Sequence, residues 1–160
     1  MLLNTDNLPN NHRLIYRNQN LGFANQELFV VISDKLLYLI TKAPSLSPDQ
    51  EDEPGLDVYQ TEYPIKSIPW FIDTVENKIW RSSKDGGLPS GQYSITNTID
   101  GEQLKISRDM NCGEKYQKGI SWKNLSRVPD YSAFGYQEKQ LTDEMLLEGG
   151  LLNLFKDIAK

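Results

Sequence analysis

The sequence is short of the residues from which most catalytic centres are built. Cysteine and histidine occur once each, as Cys112 and His12, in 160 residues. A lone cysteine closes no internal disulfide, and a free thiol suits a reducing compartment better than a secreted one. The chain offers none of the Cys-x-x-Cys or His-x-x-x-His spacings of a metal centre, so no metal and no cofactor are expected. A nucleophile–base pair of Cys112 and His12 has no local support, because His12 stands in a polar run, Asn10-Asn11-His12-Arg13.

Long hydrophobic runs are missing too. The longest, Leu28–Ile32 and Leu36–Ile40, are five residues each, against the roughly 20 needed to span a bilayer. Residues Met1 to Asn20 are rich in Asn and hold no apolar stretch of signal-peptide length. Together with the lone thiol, this leads us to expect a soluble, cytoplasmic protein with no membrane contact. The glycines of Gly86 to Gly91 invite a phosphate-loop reading. The chain continues Gly91-Gln92-Tyr93 where a P-loop needs Gly-Lys-Ser/Thr, and Ser90 is one position off a nucleophile elbow. No catalytic residue is assigned. With 22 acidic side chains, carboxylate pairs carry no specificity as a signal.

Charge, by contrast, is distributed informatively. The net charge is −5, yet the stretch between Pro44 and Glu62 alone carries Asp49, Glu51, Asp52, Glu53, Asp57 and Glu62 with no base. The rest of the chain is nearly neutral. Pro44, Pro48, Pro54 and Gly55 argue for an exposed acidic loop over 44–57. Its ligand order is not that of an EF-hand, so it is read as solvated or as a docking element for a basic partner. Six bases lie between Gln103 and Arg127, interleaved with Tyr116 and Trp122. In an acidic chain without a nucleic-acid motif they are read as a solvent face, and no direct nucleic-acid binding is expected.

The pattern of the remaining residues predicts one domain over 1–160. Leu28–Ile32 and Leu36–Ile40 flank Ser33-Asp34-Lys35 as a hairpin whose unalternating runs imply cover on both faces. Arg13–Arg17 and Val58–Tyr63 add strands. Gln92–Ile99 and Glu102–Arg108 alternate about Asp100-Gly101, a two-residue hairpin turn, and Gly119–Lys123 adds a further strand. Ile68, Phe71, Ile72, Val75 and Ile79 recur at helical spacing, predicting an amphipathic helix over 67–80 with Ser67 as cap; a hairpin turning at Glu76-Asn77 competes. Thr142 opens a second helix over 142–159, with Gly149-Gly150 as a point of fracture. The class is α+β: a mainly antiparallel sheet of about five or six strands with two helices.

The segment Tyr63-Pro64-Ile65-Lys66-Ser67-Ile68-Pro69-Trp70-Phe71-Ile72-Asp73-Thr74-Val75-Glu76-Asn77-Lys78-Ile79-Trp80, with the loop through Gly91, resembles bacterial immunity proteins. These are small cytoplasmic antidotes to contact-dependent growth-inhibition toxins. The resemblance implies a protein that binds and neutralises a cognate toxin domain, often a basic nuclease, by blocking it without catalysis. It transfers no residue roles. On that expectation the acidic residues Asp49, Glu51, Asp52, Glu53, Asp57 and Glu62 guide the encounter, and Trp70 and Trp80 are candidate anchors if they are not core. The alternatives are a non-catalytic interaction or regulatory domain of phage or plasmid origin, and a hidden enzyme using carboxylates or Cys112.

Overall fold

Two apolar runs around a polar turn organise the first half of the chain. In the computed structural model, which describes residues 1–45 and 55–160, strand β2 (Glu27–Ile32) and strand β3 (Leu36–Pro44) pair antiparallel. The Ser33 hydroxyl accepts from the backbone N–H groups of Lys35 and Leu36 and so shapes the turn between them. β1 (Arg13–Gln19) joins one side and β4 (Leu56–Pro64) the other, giving a four-stranded antiparallel meander, sheet A.

A second meander follows. β5 (Ser94–Ile99), β6 (Glu102–Cys112), β7 (Gln117–Asn124) and β8 (Gln137–Thr142) form sheet B in that order. The expected turn at Asp100-Gly101 is present. Both residues have positive φ, 51° and 78°, as a type I′ hairpin turn requires.

The chain is therefore α+β, but with two four-stranded sheets in place of a single sheet of five or six strands. The reason lies at the neighbouring edges. At Glu62, β4 turns its backbone groups toward sheet B, and side chains take them up. Gln137 Oε1 accepts from the Glu62 N–H at 2.7 Å, and Asn124 Nδ2 donates to the Glu62 carbonyl at 2.7 Å. Buried backbone groups must be paired, and here two amide side chains satisfy them without joining the sheets into one ladder.

One core fills the space that the sheets share with the helices. Leu28, Val30, Leu37 and Leu39 of sheet A meet Leu104, Ile106, Ile120, Trp122 and Leu141 of sheet B. The helical segments add Ile68, Phe71, Val75, Met145, Leu146, Leu151, Leu152 and Phe155. The opposite face of sheet A carries Phe29, Val31, Tyr38 and Ile40, which Leu3 of the N-terminal segment covers. That segment is tied down by the Leu3 N–H donating to Gln60 Oε1 at 2.9 Å, and by His12, whose Nε2 meets the Tyr38 hydroxyl at 3.2 Å. The expectation that these strands are covered on both faces holds.

The helices depart from expectation at their ends. α1 (Ile68–Thr74) continues into a π-helical turn over Val75–Ile79, closed by the Trp80 N–H donating to the Val75 carbonyl. The segment is helical, not a hairpin. Ser67 does not cap it; its buried hydroxyl donates to the Pro64 carbonyl at 2.6 Å. The expected helix over 142–159 is two helices, α2 (Asp143–Leu147) and α3 (Leu151–Ile158). Gly149-Gly150 separates them, with Gly150 at φ 75°. Thr142 does cap α2, its hydroxyl accepting from the Met145 N–H. No helix among the described residues is long and apolar enough to cross a membrane.

Candidate partner-binding surface

A candidate contact surface lies where β4 meets the segment between β7 and β8. Side chains alternate along β4, so Asp57 and Tyr59 project from the same face as Tyr63, which is in the shared core. Beyond the core, this face is met by residues 125–136, the segment between β7 and β8. Tyr59 lies edge-on to Tyr131, with ring centroids 6.1 Å apart at 81°. A cleft of about 160 Å³ opens beside them, with Thr61, Asp130, Tyr136 and Glu138 also in its walls. This is room for a side chain, well below the roughly 300 Å³ at which drug-sized ligand pockets begin.

The surroundings are aromatic and acidic. Tyr131 is 76% and Phe134 82% exposed, and Tyr59 and Tyr136 are partly exposed. Large apolar side chains standing together in solvent mark contact surfaces more often than they mark anything structural. Asp130 holds the Met1 ammonium at 3.3 Å. Glu138 accepts from the Ser121 hydroxyl and lies 3.6 Å from Lys123 Nζ, which sits 5.2 Å from the centre of the Tyr136 ring.

The acidic stretch leaves from this same end. Pro44 pairs with Leu56, and the Ser45 N–H donates to the Gly55 carbonyl at 2.8 Å. Asp49, Glu51, Asp52 and Glu53 lie outside the described residues. Asp57 is half-buried within β4, paired with Ala43, so the loop expected over 44–57 is bounded by strand at both ends.

Three further candidates are placed in the interior or at its margin. Glu62 is part of a link between the sheets. Arg127 Nη1 donates to its carboxylate at 2.6 Å, while Arg127 Nε donates to Glu102 at 2.5 Å and Asn124 Nδ2 reaches Glu102 at 3.0 Å. Burial works against ionisation of Glu102, yet the bonds from Arg127 and Asn124 outweigh it and hold that carboxyl below its usual range. Trp70 and Trp80 are half-buried against the core. The Trp80 indole N–H donates to Asp143 Oδ1 at 3.1 Å, and Arg108 grips the same carboxylate through two bonds of 3.0 Å. Glu62 and Trp80 thus have partners inside the fold.

Sequence reading passed over Tyr59, Tyr131, Phe134 and Tyr136. The signal was present in Tyr131-Ser132-Ala133-Phe134-Gly135-Tyr136. Three aromatics in a stretch with neither helical nor strand period, broken by Ser and Gly, have no regular element to carry them into a core.

The reactive side chains are placed otherwise. Cys112 is buried, and burial first, with Asp109 and Asp143 adding to it, pushes its thiol up to about 12. A thiol so placed holds almost no thiolate at neutral pH. Cys112 belongs to sheet B, whereas His12 lies against Tyr38 on the outer face of sheet A. Among the described residues no group of three or more His, Cys, Asp or Glu could hold a metal. The bases of residues 103–127 are divided: Arg108 and Arg127 are committed to ion pairs within the fold, and Lys115 and Lys118 are exposed. No protein-family model, no curated protein and no solved structure matches the chain.

Proposed function

We propose that this chain is an immunity-type protein of the bacterial cytoplasm that binds a cognate toxin domain and neutralises it by covering it. The observation that carries the reading is the clustering of exposed aromatics with carboxylates at the end of the molecule from which the acidic stretch departs. Tyr59, Tyr131, Phe134 and Tyr136 supply area with little rotamer entropy to lose, and aromatic residues of this kind dominate interface energies. Asp57, Asp130 and Glu138 share that surface, and Asp49, Glu51, Asp52 and Glu53 are tethered beside it in sequence.

Local negative charge of this density selects a basic partner and speeds the encounter, by ten-fold or more at low salt on the order-of-magnitude scale of electrostatic steering. Blocking requires no catalytic group, so a surface without an activated nucleophile is sufficient. The reading is tested by co-expressing the protein with the toxin domain encoded directly upstream of its gene. Protection of cells, lost when Tyr131 and Phe134 are both replaced by Ala, is the expected result. A folded protein that neither protects against nor captures that domain would overturn it.

A further inference from the structure

We propose that the cleft between Tyr59 and residues 129–136 seats one arginine side chain of the partner, its guanidinium stacked on tyrosine and paired with Asp130 and Glu138. This rests on the reading of the surface as one that binds a basic protein, and it specifies the group that enters. The cleft, about 160 Å³, admits a side chain but little more. Three tyrosines and two acidic residues line it, and among the described residues no Lys or Arg does. Aromatic faces and carboxylates together attract cations and repel anions.

The chain's own cations meet these side chains from outside the cleft, and loosely. Lys123 stands 5.2 Å from the Tyr136 ring centre and 3.6 Å from Glu138, too far for a tight hydrogen bond. The ammonium of Met1, a residue whose side chain is 84% exposed, is the partner of Asp130. Both are point charges with strong hydration. A guanidinium is planar, more weakly hydrated, able to fork onto a carboxylate and to lie flat on a ring. Arginine is preferred to lysine in the cleft for that reason.

The experiment is a titration of the isotope-labelled full chain with acetyl-Gly-Arg-Gly-amide, followed by backbone amide shifts. The control is the same peptide with citrulline, which keeps the shape and removes the charge. The expected result is saturable shifts at Tyr59, Asp130, Tyr131 and Tyr136 at millimolar peptide. Citrulline should bind about ten-fold more weakly or worse, because it cannot make the cation–π and ion-pair interactions. Y131A and D130N should each weaken the arginine peptide. Both side chains lie at the surface, and an unchanged core spectrum confirms that the variants fold. Equal binding of the two peptides, shifts confined to other surfaces, or no shifts would overturn the proposal. Arginine binding without capture of the toxin domain would remove the functional reading and leave the cleft standing; capture without arginine binding would do the reverse.

Discussion

The Tyr63 hydroxyl donates to the Trp122 carbonyl at 2.8 Å while the two rings stack with centroids 3.8 Å apart. One residue thus ties sheet A to sheet B by a buried hydrogen bond and by its largest apolar surface. Phe71 stacks on Trp122 in turn at 4.2 Å, and Phe155 meets both Phe71 and Trp122 edge-on, so α1 and α3 lean on the same indole. Tyr63→Phe keeps the ring and removes the hydroxyl's bond to the Trp122 carbonyl, which stays within the ladder of the inner strand β7. We expect a loss of about 0.5–1.5 kcal/mol in denaturant unfolding, with the m-value unchanged. Tyr63→Ala should cost about 3–5 kcal/mol, the range for emptying an aromatic site in a core. If Tyr63→Phe were neutral, the hydrogen bond would not contribute to joining the sheets.

Arg127 is the polar counterpart of that stack, bridging Glu62 of sheet A and Glu102 of sheet B. Its charge is part-exposed, so Arg127→Leu should cost about 1–2 kcal/mol, between the surface and buried limits for ion pairs. The pH dependence has a definite sign. Glu102 is held below its ordinary value of 4.5, so its contribution is present above that value and fades as pH falls through the lower folded-state value. The gap between native protein and Arg127→Leu should therefore be full at neutral pH and close in acid. Chemical denaturation across that range measures it; a gap independent of pH would contradict the assignment.

Lys139 faces the opposite problem. It is 9% exposed, no ion pair to it exists among the described residues, and burial pushes its amine down to about 7 from an ordinary 10.5. Phe23 lies near it, with Nζ 5.9 Å from the ring centre. Below about 7 both folded and unfolded chains carry the proton, and the folded state bears the full desolvation cost. Between there and 10.5 the unfolded chain binds more protons, so stability rises with pH. Lys139→Met should raise stability at neutral pH by about one to a few kcal/mol and flatten that rise. A destabilised Lys139→Met with the alkaline rise intact would show that the amine is paired after all.

Gly149 and Gly150 separate α2 from α3 for two different reasons. A Cβ on Gly149 would stand 2.5 Å from the Met145 carbonyl oxygen, and Gly150 adopts the left-handed conformation at φ 75°. Alanine at either site should therefore lower thermal stability, by about 1 kcal/mol at Gly150 and more at Gly149. In an uninterrupted helix the same substitutions would stabilise by a similar amount, so the sign of the change decides between one helix and two.

Cys112 provides a check on packing that needs no variant. Its thiol is buried and raised to about 12, so a thiol reagent should modify the native protein only at the rate of unfolding and react at once in denaturant. Rapid modification of folded protein would place Cys112 elsewhere.

The strands that form locally were legible from the chain alone. Leu28–Ile40 and Gln92–Arg108 each hold two strands and their own turn, and a hairpin is specified by residues that are neighbours in sequence. β8 was not legible, because its buried positions are Gln137, Lys139, Leu141 and Thr142. Only one of the four is apolar, so the alternation that marks a half-buried strand is absent from QEKQLT. Gln137 is inside because the β4 edge needs a hydrogen-bond partner there, which is a property of another part of the chain. The same holds for residues 1–12, whose cover of the outer face follows from Leu3 and His12 meeting strands far away in sequence.

The site divides along the same line. Composition by itself determined that charge is concentrated between Pro44 and Glu62 and that the usual catalytic residues are scarce. It also determined the α+β class, through periodicity that each element carries within itself. Tertiary structure alone decided that there are two sheets, that Glu62 and Trp80 have partners inside the fold, and that Tyr59 meets Tyr131 in an acidic cleft. Periodicity reports which face of an element is buried, but exposure of a loop aromatic and pairing of a carboxylate depend on what a distant segment brings to it. That information lies in how the chain closes on itself.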